Sequence, residues 1–260
     1  MLKFYKYQGT GNDFVVIDQR ETAFISLGDY KKIKQICDRK FGVGADGLII
    51  LQSHPDHDFE MVYFNADGQQ SSMCGNGGRC MVAFAHFLGI RKEHYVFQAT
   101  DGRHEALMRN STVELKMNNV ENVTQKSDFF LLNTGSPHYV QFLDSIAAVD
   151  VEKAGRQIRY SNDFHTEGIN VNFVEIISPF KLNMATYERG VEAETLSCGT
   201  GATAAAIAYC VDNQLFGEHT IEIETKGGQL TIHLERTLLG IKNIWLCGDA
   251  IQVFEGIWVL

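Results

Sequence analysis

Met73-Cys74-Gly75-Asn76-Gly77-Gly78-Arg79-Cys80 and Ser197-Cys198-Gly199-Thr200-Gly201-Ala202-Thr203 are two versions of one phrase. Each reads Cys-Gly-polar-Gly and runs on into small, apolar residues with the look of a helix. The two cysteines lie close to half the length of the 260-residue chain apart. The likeness spreads outward from them. Tyr63-Phe64-Asn65-Ala66 aligns with Thr186-Tyr187-Glu188-Arg189 if one residue is inserted before Cys198, setting Asn65 opposite Glu188. Downstream, Ala99-Thr100-Asp101-Gly102 answers Glu224-Thr225-Lys226-Gly227-Gly228, and Gly11-Asn12-Asp13-Phe14-Val15 faintly echoes Gly168-Ile169-Asn170-Val171-Asn172-Phe173-Val174. Four weak matches in one order predict two halves of one topology. The period is too long for a solenoid, so two like domains facing a cleft is the expected architecture.

The repeated phrase has a chemical reading. A helix N-terminus leaves backbone N–H groups unpaired and carries positive potential. Glycines there let a ligand approach the backbone, so Gly75-Asn76-Gly77 and Gly199-Thr200-Gly201 are suited to hold a carboxylate. The same field favours the thiolate of a cysteine placed there. Two such cysteines on opposite sides of a stereogenic carbon can invert it: a thiolate removes a proton from one face and a thiol returns one to the other. A covalent cysteine–histidine mechanism would need only one.

Composition narrows the alternatives. The formal net charge is −9 with no basic run, which argues against nucleic acid as a partner. No apolar stretch approaches the ~18 residues of a spanning helix, and no membrane role is expected. Met1-Leu2-Lys3-Phe4-Tyr5-Lys6-Tyr7 reads as a strand and not a secretory signal, so a cytoplasmic protein with reduced thiols is expected. The six cysteines form no C-x-x-C pair and have no histidine cluster beside them, which argues against a zinc site. Cys37, Cys80, Cys210 and Cys247 read as buried small hydrophobes.

Apolar alternation predicts strands over 2–8, 13–18, 47–52, 59–65, 94–99 and 112–117 in the first half. In the second it predicts strands over 137–143, 170–177, 181–187, 220–224, 229–234 and 243–247. Helices are expected from Ser26 to about Arg39, over 78–88 with a stop at Gly89, and over 145–155 and 200–211. No Pro-, Ser- or Gly-rich linker separates the halves, and the join is expected near 118–128. The division is thus 1–120 carrying Cys74, 121–248 carrying Cys198, and a terminal strand over 249–260.

With these residues in view the chain resembles the diaminopimelate epimerases, cofactor-independent isomerases that interconvert LL- and meso-diaminopimelate. The resemblance rests on Gly9-Thr10-Gly11-Asn12-Asp13-Phe14, Gly42-Val43-Gly44-Ala45-Asp46-Gly47-Leu48, Phe64-Asn65-Ala66-Asp67-Gly68 and Met73-Cys74-Gly75-Asn76-Gly77. Gly135-Ser136-Pro137-His138, Asn170-Val171-Asn172-Phe173-Val174, Glu188-Arg189-Gly190 and Glu194-Thr195-Leu196-Ser197-Cys198-Gly199-Thr200-Gly201 follow in family order. It implies Cys74 and Cys198 as the catalytic pair, in the cleft, one from each domain. Gly75, Asn76, Gly199 and Thr200 are implied to hold the carboxylate at the reacting centre. Asn12, Asn65, Asn170, Glu188 and Arg189 are implied contacts to substrate, and His138 and Glu188 tune the protonation of the thiols. It also implies no cofactor, a homodimer with Phe254 at its interface, and a last strand that packs back on the first domain. The fold it implies is α/β (α+β), with each domain a curved, mainly antiparallel sheet around a central helix. The chain departs from the family pattern where Ser136 replaces an asparagine, where Gly47 replaces a glutamine, and where Val191-Glu192-Ala193-Glu194 is one residue longer than usual; a bulged loop is expected there.

Three rivals are open at this level. An isomerase of the phenazine-pathway type has the same architecture but lacks the thiol pair, so Cys74 and Cys198 argue against it. A proline or hydroxyproline racemase also uses two cysteines, but Asn12 and Glu188-Arg189 suit a substrate with a distal amino-acid group. A non-catalytic amino-acid-binding protein has no need of a thiol at both helix mouths. The remaining histidines, and Asp46 and Asp67 in their glycine turns, read as surface, packing or loop-shaping residues.

Overall fold

Strands β1 (Leu2–Gly9) and β2 (Asn12–Asp18) form a hairpin whose two linking residues, Thr10 and Gly11, both have positive φ (48° and 86°). A two-residue turn of that hand matches the twist of the strands it joins. Helix α1 (Tyr30–Cys37) buries Ile33, Ile36 and Cys37 and carries the chain over to β3 (Gly47–Gln52), which pairs parallel with β2 as a crossover connection requires. Strand β4 (Phe59–Asn65) runs antiparallel to β3, with the two-residue β5 (Gln70–Ser71) on its flank. Then come helix α2 (Gly75–Phe87) and a meander of β6 (His94–Ala99), β7 (Gly102–Arg109) and β8 (Thr112–Lys116). The computed structural model describes residues 1–110 and 112–259.

The same plan follows again. It comprises β9 (Val123–Gln125), β10 (Phe130–Asn133), β11 (Pro137–Leu143), α3 (Val151–Arg159), β12 (Asn170–Ser178), β13 (Lys181–Glu188) and β14 (Ala193–Thr195). Helix α4 (Gly199–Asp212) and strands β15 (Gly217–Thr225), β16 (Gly228–Thr237) and β17 (Gly240–Asp249) complete it. Strand β18 (Ile251–Trp258) ends the chain and pairs antiparallel with β1. Two compact units result: Met1–Leu115 with the chain from Gly248 onward, and Lys116–Cys247.

The pairings make the repeat explicit. In the first unit the strands lie in the order β18-β1-β2-β3-β4-β6-β7-β8. In the second they lie in the order β9-β10-β11-β12-β13-β15-β16-β17. Each step has the same sense in both rows: antiparallel except β2 with β3 and β4 with β6, matched by β11 with β12 and β13 with β15. Helix α2 packs against strands from both ends of its row, β18 and β7 included, so the sheet curls around it; α4 packs against β10 through β13, β15 and β16 in the same way.

Burial explains why these two helices sit at the centres. Residues 76–82, 84 and 85 of α2 are buried, and α4 is buried from Ala202 through Cys210. A helix apolar all round has no face to give to water. Each large side chain removed from water on such a helix, Phe84 or Ile207 for example, contributes about 1.5–3 kcal/mol. Two satellite helices cover the outer faces: α1 over Val15, Ile17, Leu48 and Ile50, and α3 over Val171, Phe173 and Tyr187.

The structure corrects several boundaries. Helix α2 begins at Gly75, three residues before the expected start, because its glycines are there for space and not to break the helix. A Cβ on Gly78 would lie 2.9 Å from Met73 Sδ, and one on Gly77 3.1 Å from Ile49 Cδ1. Helix α3 begins at Val151 and not at 145, since the Asp150 carboxylate caps it by accepting from Lys153 N–H at 3.0 Å. A single 3₁₀ turn, Ile146–Ala148, occupies the residues before it. Strand β7 is absent from the sequence reading because its mixed residues, Gly102-Arg103-His104-Glu105, alternate weakly. Strand β9 was likewise hidden in the polar run after Asn118, and β10, Phe130-Leu131-Leu132-Asn133, is too short to show alternation. Among the described residues no helix is long and apolar enough to cross a membrane.

Candidate active site: two helix mouths on one plan

In the first unit Cys74 is the residue that caps α2, with extended backbone (φ −94°, ψ 133°), and it is partly exposed. Asn12, first residue of β2, leans on it: the Cys74 thiol lies 3.5 Å from Asn12 Oδ1. The same oxygen accepts from Asn76 Nδ2 at 3.4 Å. Asn12 Nδ2 donates to Asp46 Oδ2 at 2.7 Å, which fixes which end of the amide faces the cysteine. Asp46 therefore shapes its loop, as the sequence suggested, and also orients a site residue.

Asp46 is itself held. Arg39 bridges Asp46 (2.7 Å) and Asp13 (2.6 Å), and Asp13 also pairs with the buried Lys6 at 2.6 Å. Burial by itself would raise the Asp13 carboxyl; hydrogen bonds from Arg39 and Lys6 overcome it and hold the group down at about 2. On the other side of Asn76, Thr10 Oγ1 receives a hydrogen bond from the wholly buried Arg79 at 3.3 Å. Asn65 ends β4, exposed, directly across the pair from Gly47, the residue after Asp46. A Cβ at position 47 would come within 2.6 Å of both the Phe64 carbonyl and the Tyr63 ring, so no side chain stands there beside Asn65.

In the second unit Cys198 caps α4 in the same way, with extended backbone (φ −119°, ψ 110°), and is 6% exposed. Its sulfur accepts from Gly201 N–H at 3.4 Å and lies 3.5 Å from Thr200 Oγ1. Thr134 donates to the Thr200 carbonyl at 2.8 Å, tying the helix mouth to the turn before β11. Gly201 has no room for a side chain: a Cβ would lie 2.4 Å from Asn172 Oδ1 and 3.2 Å from Cys198 Sγ.

Two further groups complete this half. Asn170, first residue of β12, donates to Ser136 Oγ at 2.9 Å and accepts from Arg189 N–H at 2.9 Å. The Arg189 guanidinium also reaches Ser136 Oγ (3.3 Å) and the Glu167 carbonyl (3.1 Å). Ser136, Asn170 and Arg189 thus form one cluster at the ends of β11, β12 and β13, with Glu188 the last residue of β13. His138 sits on β11 in register with Asn170 and is fully buried. Burial, with the nearby Arg189 charge adding to it, pushes the His138 imidazole down to about 3, so it is neutral at cellular pH.

Between Arg189 and Cys198 the chain makes a turn closed by Glu192 N–H to the Glu188 carbonyl at 2.8 Å, with Glu192 left-handed at φ 60°; strand β14 resumes the pairing with β13. Each half therefore gathers its own expected residues: Cys74, Gly75, Asn76 and Asn12 with Asn65 close by, and Cys198, Gly199 and Thr200 with His138, Asn170 and Arg189 near the same strand ends. Sequence reasoning passed over Arg39, Arg79, Asn172 and Thr186. Asn172 lies two residues from Asn170 in an otherwise apolar strand, but its partners His138 and Thr186 are brought to it by strand register, which the sequence does not display.

The two helix mouths share a plan suited to holding a carboxylate beside a thiol. The family model described as diaminopimelate epimerase matches this chain over residues 4–123 and again over 130–239, one match for each half. The diaminopimelate epimerase of Flavobacterium psychrophilum is 49% identical over 98% of this chain and 99% of its own. Among solved structures, a phenazine biosynthesis protein of Bacillus anthracis superposes with a TM-score of 0.79 over 100% of this chain and 99% of its own, at 12% identity. A hydroxyproline epimerase of Agrobacterium vitis gives 0.68 over 98% and 91%, also at 12% identity. The two structural likenesses speak to the fold, and the sequence match speaks to more: this chain belongs to the diaminopimelate epimerase family.

Proposed function

We propose that this chain epimerises LL- and meso-diaminopimelate at the α-carbon, with Cys74 and Cys198 as the two proton-transfer groups. The observation that carries the reading is the matched pair of helix mouths, each capped by a cysteine, in a chain of this family. One thiolate takes the α-proton, and the electron pair left on carbon is delocalised into the carboxylate. Backbone N–H groups at Gly75, Asn76, Gly199 and Thr200 receive the charge that develops on the carboxylate oxygens. The other thiol then protonates the opposite face, so the two cysteines exchange protonation states with each turnover. The steps use the two thiols and the backbone N–H groups of the helix mouths.

Asn12, Asn65, Asn170, Glu188 and Arg189 bind the distal end of the substrate, where an ammonium and a carboxylate need an acceptor and a planar donor fork. The Arg189 guanidinium, half-held by Ser136 and Glu167, supports that role. The same reading has a cytoplasmic homodimer using β18, where Val253, Phe254 and Ile257 are exposed.

Cys74→Ala and Cys198→Ala test the pair. Each variant is expected to lose roughly 10³-fold or more of the conversion of LL- to meso-diaminopimelate while keeping its fold. A single variant with turnover near that of the parent would remove that cysteine from the mechanism. Retained affinity for an amino acid by a parent protein that shows no turnover would favour the binding-protein reading.

A further inference from the structure

Three polar side chains on neighbouring strands of the second unit are wholly inside it: His138 on β11 and Asn172 on β12 at 0% exposure, and Thr186 on β13 at 2%. Burying such groups costs several kcal/mol unless they bond to one another, and these do. Asn172 Nδ2 donates to the Tyr139 carbonyl at 2.9 Å and also meets His138 Nδ1 at 3.0 Å. Asn172 Oδ1 accepts from the Thr186 hydroxyl at 3.0 Å.

The orientation of the amide follows from its partners. The Tyr139 carbonyl can only accept, so the nitrogen of Asn172 must face it. The nitrogen faces His138 Nδ1 from the same place, so Nδ1 must be the accepting atom. A neutral imidazole that accepts at Nδ1 carries its proton on Nε2. His138 Nε2 is buried and has no hydrogen-bond partner among the described residues. One unanswered donor in a network satisfied everywhere else is the mark of a group waiting for a ligand.

We propose that Asn172, oriented by Thr186 and the Tyr139 carbonyl, is a positioning residue that locks His138 as its Nε2–H tautomer, so that His138 donates a hydrogen bond to an acceptor oxygen of the bound amino acid and does not serve as a proton acceptor. This rests on the reading of the second unit as one half of the epimerase site. The location fits: Asn172 Oδ1 lies against Gly201 in the first turn of α4, within the surroundings of Cys198, while His138 pairs in register with Asn170. Asn172 thus meets the helix mouth and the strand-end cluster at once.

The test is nitrogen-15 NMR of the histidine rings in the substrate-free protein at neutral pH, with the His138 signals assigned by their absence from His138→Gln. The parent is expected to show protonated Nε2 and bare Nδ1. In Asn172→Asp a carboxylate oxygen replaces the donor, and the proton is expected to appear at Nδ1. Activity on diaminopimelate is expected to fall about 10²-fold in kcat/KM, the usual cost of losing one aligned donor. Asn172→Ala, which removes the donor to Nδ1 without adding charge, is expected to give a mixture of tautomers and a smaller loss; it serves if the aspartate variant fails to fold. A parent with its proton on Nδ1, or variants that keep both the Nε2–H signal and full kcat/KM, would overturn the proposal. Because the tautomer is read without substrate, an inactive parent with an Nε2–H signal would count against the epimerase reading and with it the donor role, while leaving the locked tautomer standing.

Discussion

At the scale of single residues, the chemistry depends on side chains held from behind. Asn12 presents its oxygen to Cys74 only because Asp46 takes its nitrogen, and Arg39 holds Asp46. His138 offers the clearest consequence for stability. Its pKa is about 3 in the folded protein, from burial first and the Arg189 charge second, against ~6.5 for an unperturbed histidine. Between those values the unfolded chain binds a proton that the folded one refuses. Its neutral state therefore supports the fold fully above about pH 6.5, and the fold loses stability as pH drops toward 3. The slope is up to about 1.4 kcal/mol per pH unit. Denaturant unfolding of His138→Gln at pH 7.5 and 4.5 is expected to lack this loss; identical pH dependence in parent and variant would mean that His138 is not buried neutral. Much of this scale was legible in the sequence, since Cys74, Cys198 and Asn170 stand in phrases that announce them. Asn172 and Thr186 were not, because a hydrogen bond between strands is set by register, which the sequence does not display.

At the scale of elements, the repeated helix with a cysteine cap was the most legible part of the chain. The small, apolar residues of 200–211 forecast a helix, and α4 covers them, buried from Ala202 through Cys210. The glycines of α2 misled, because Gly77 and Gly78 make room for Ile49 and Met73 and do not end a helix. Weakly alternating strands such as β7 escaped notice, being stabilised by their neighbours and not by their own pattern. The charged cluster of Lys6, Asp13, Arg39 and Asp46 binds β1, β2 and the loop before β3 into one block. Removing Asp13 would leave the ammonium of Lys6, which is only 6% exposed, without its carboxylate and with only the Gly44 carbonyl. Asp13→Asn is expected to destabilise the first unit by about 3 kcal/mol at pH 7. The Asp13 carboxyl titrates near 2 when folded and ~3.9 when unfolded, so its contribution is present above about pH 4 and lost as pH falls through 2. Chemical denaturation at pH 7 and pH 2 should therefore show the gap between parent and variant closing in acid. A gap that persists at pH 2 would assign it to packing instead.

At the scale of the whole molecule, the internal duplication gives the chain two equivalent helix mouths, and that equivalence suits a reaction that must treat two faces of one carbon alike. Two rows of eight strands with identical pairing senses show how fully the repeat is kept, although only four short matches reveal it in the sequence. The exposed apolar strand β18 supports assembly, and Phe254→Glu is expected to give a monomer by light scattering where the parent is a dimer; a monomeric parent would dismiss the dimer. The central claim is two-base transfer at the α-carbon of diaminopimelate. Proton NMR of LL-diaminopimelate in heavy water, with the reduced protein present, tests it most directly. The account predicts loss of the α-proton signal as deuterium enters from solvent, together with growth of the meso isomer. An α-proton signal that stays intact beside folded, reduced protein would contradict it.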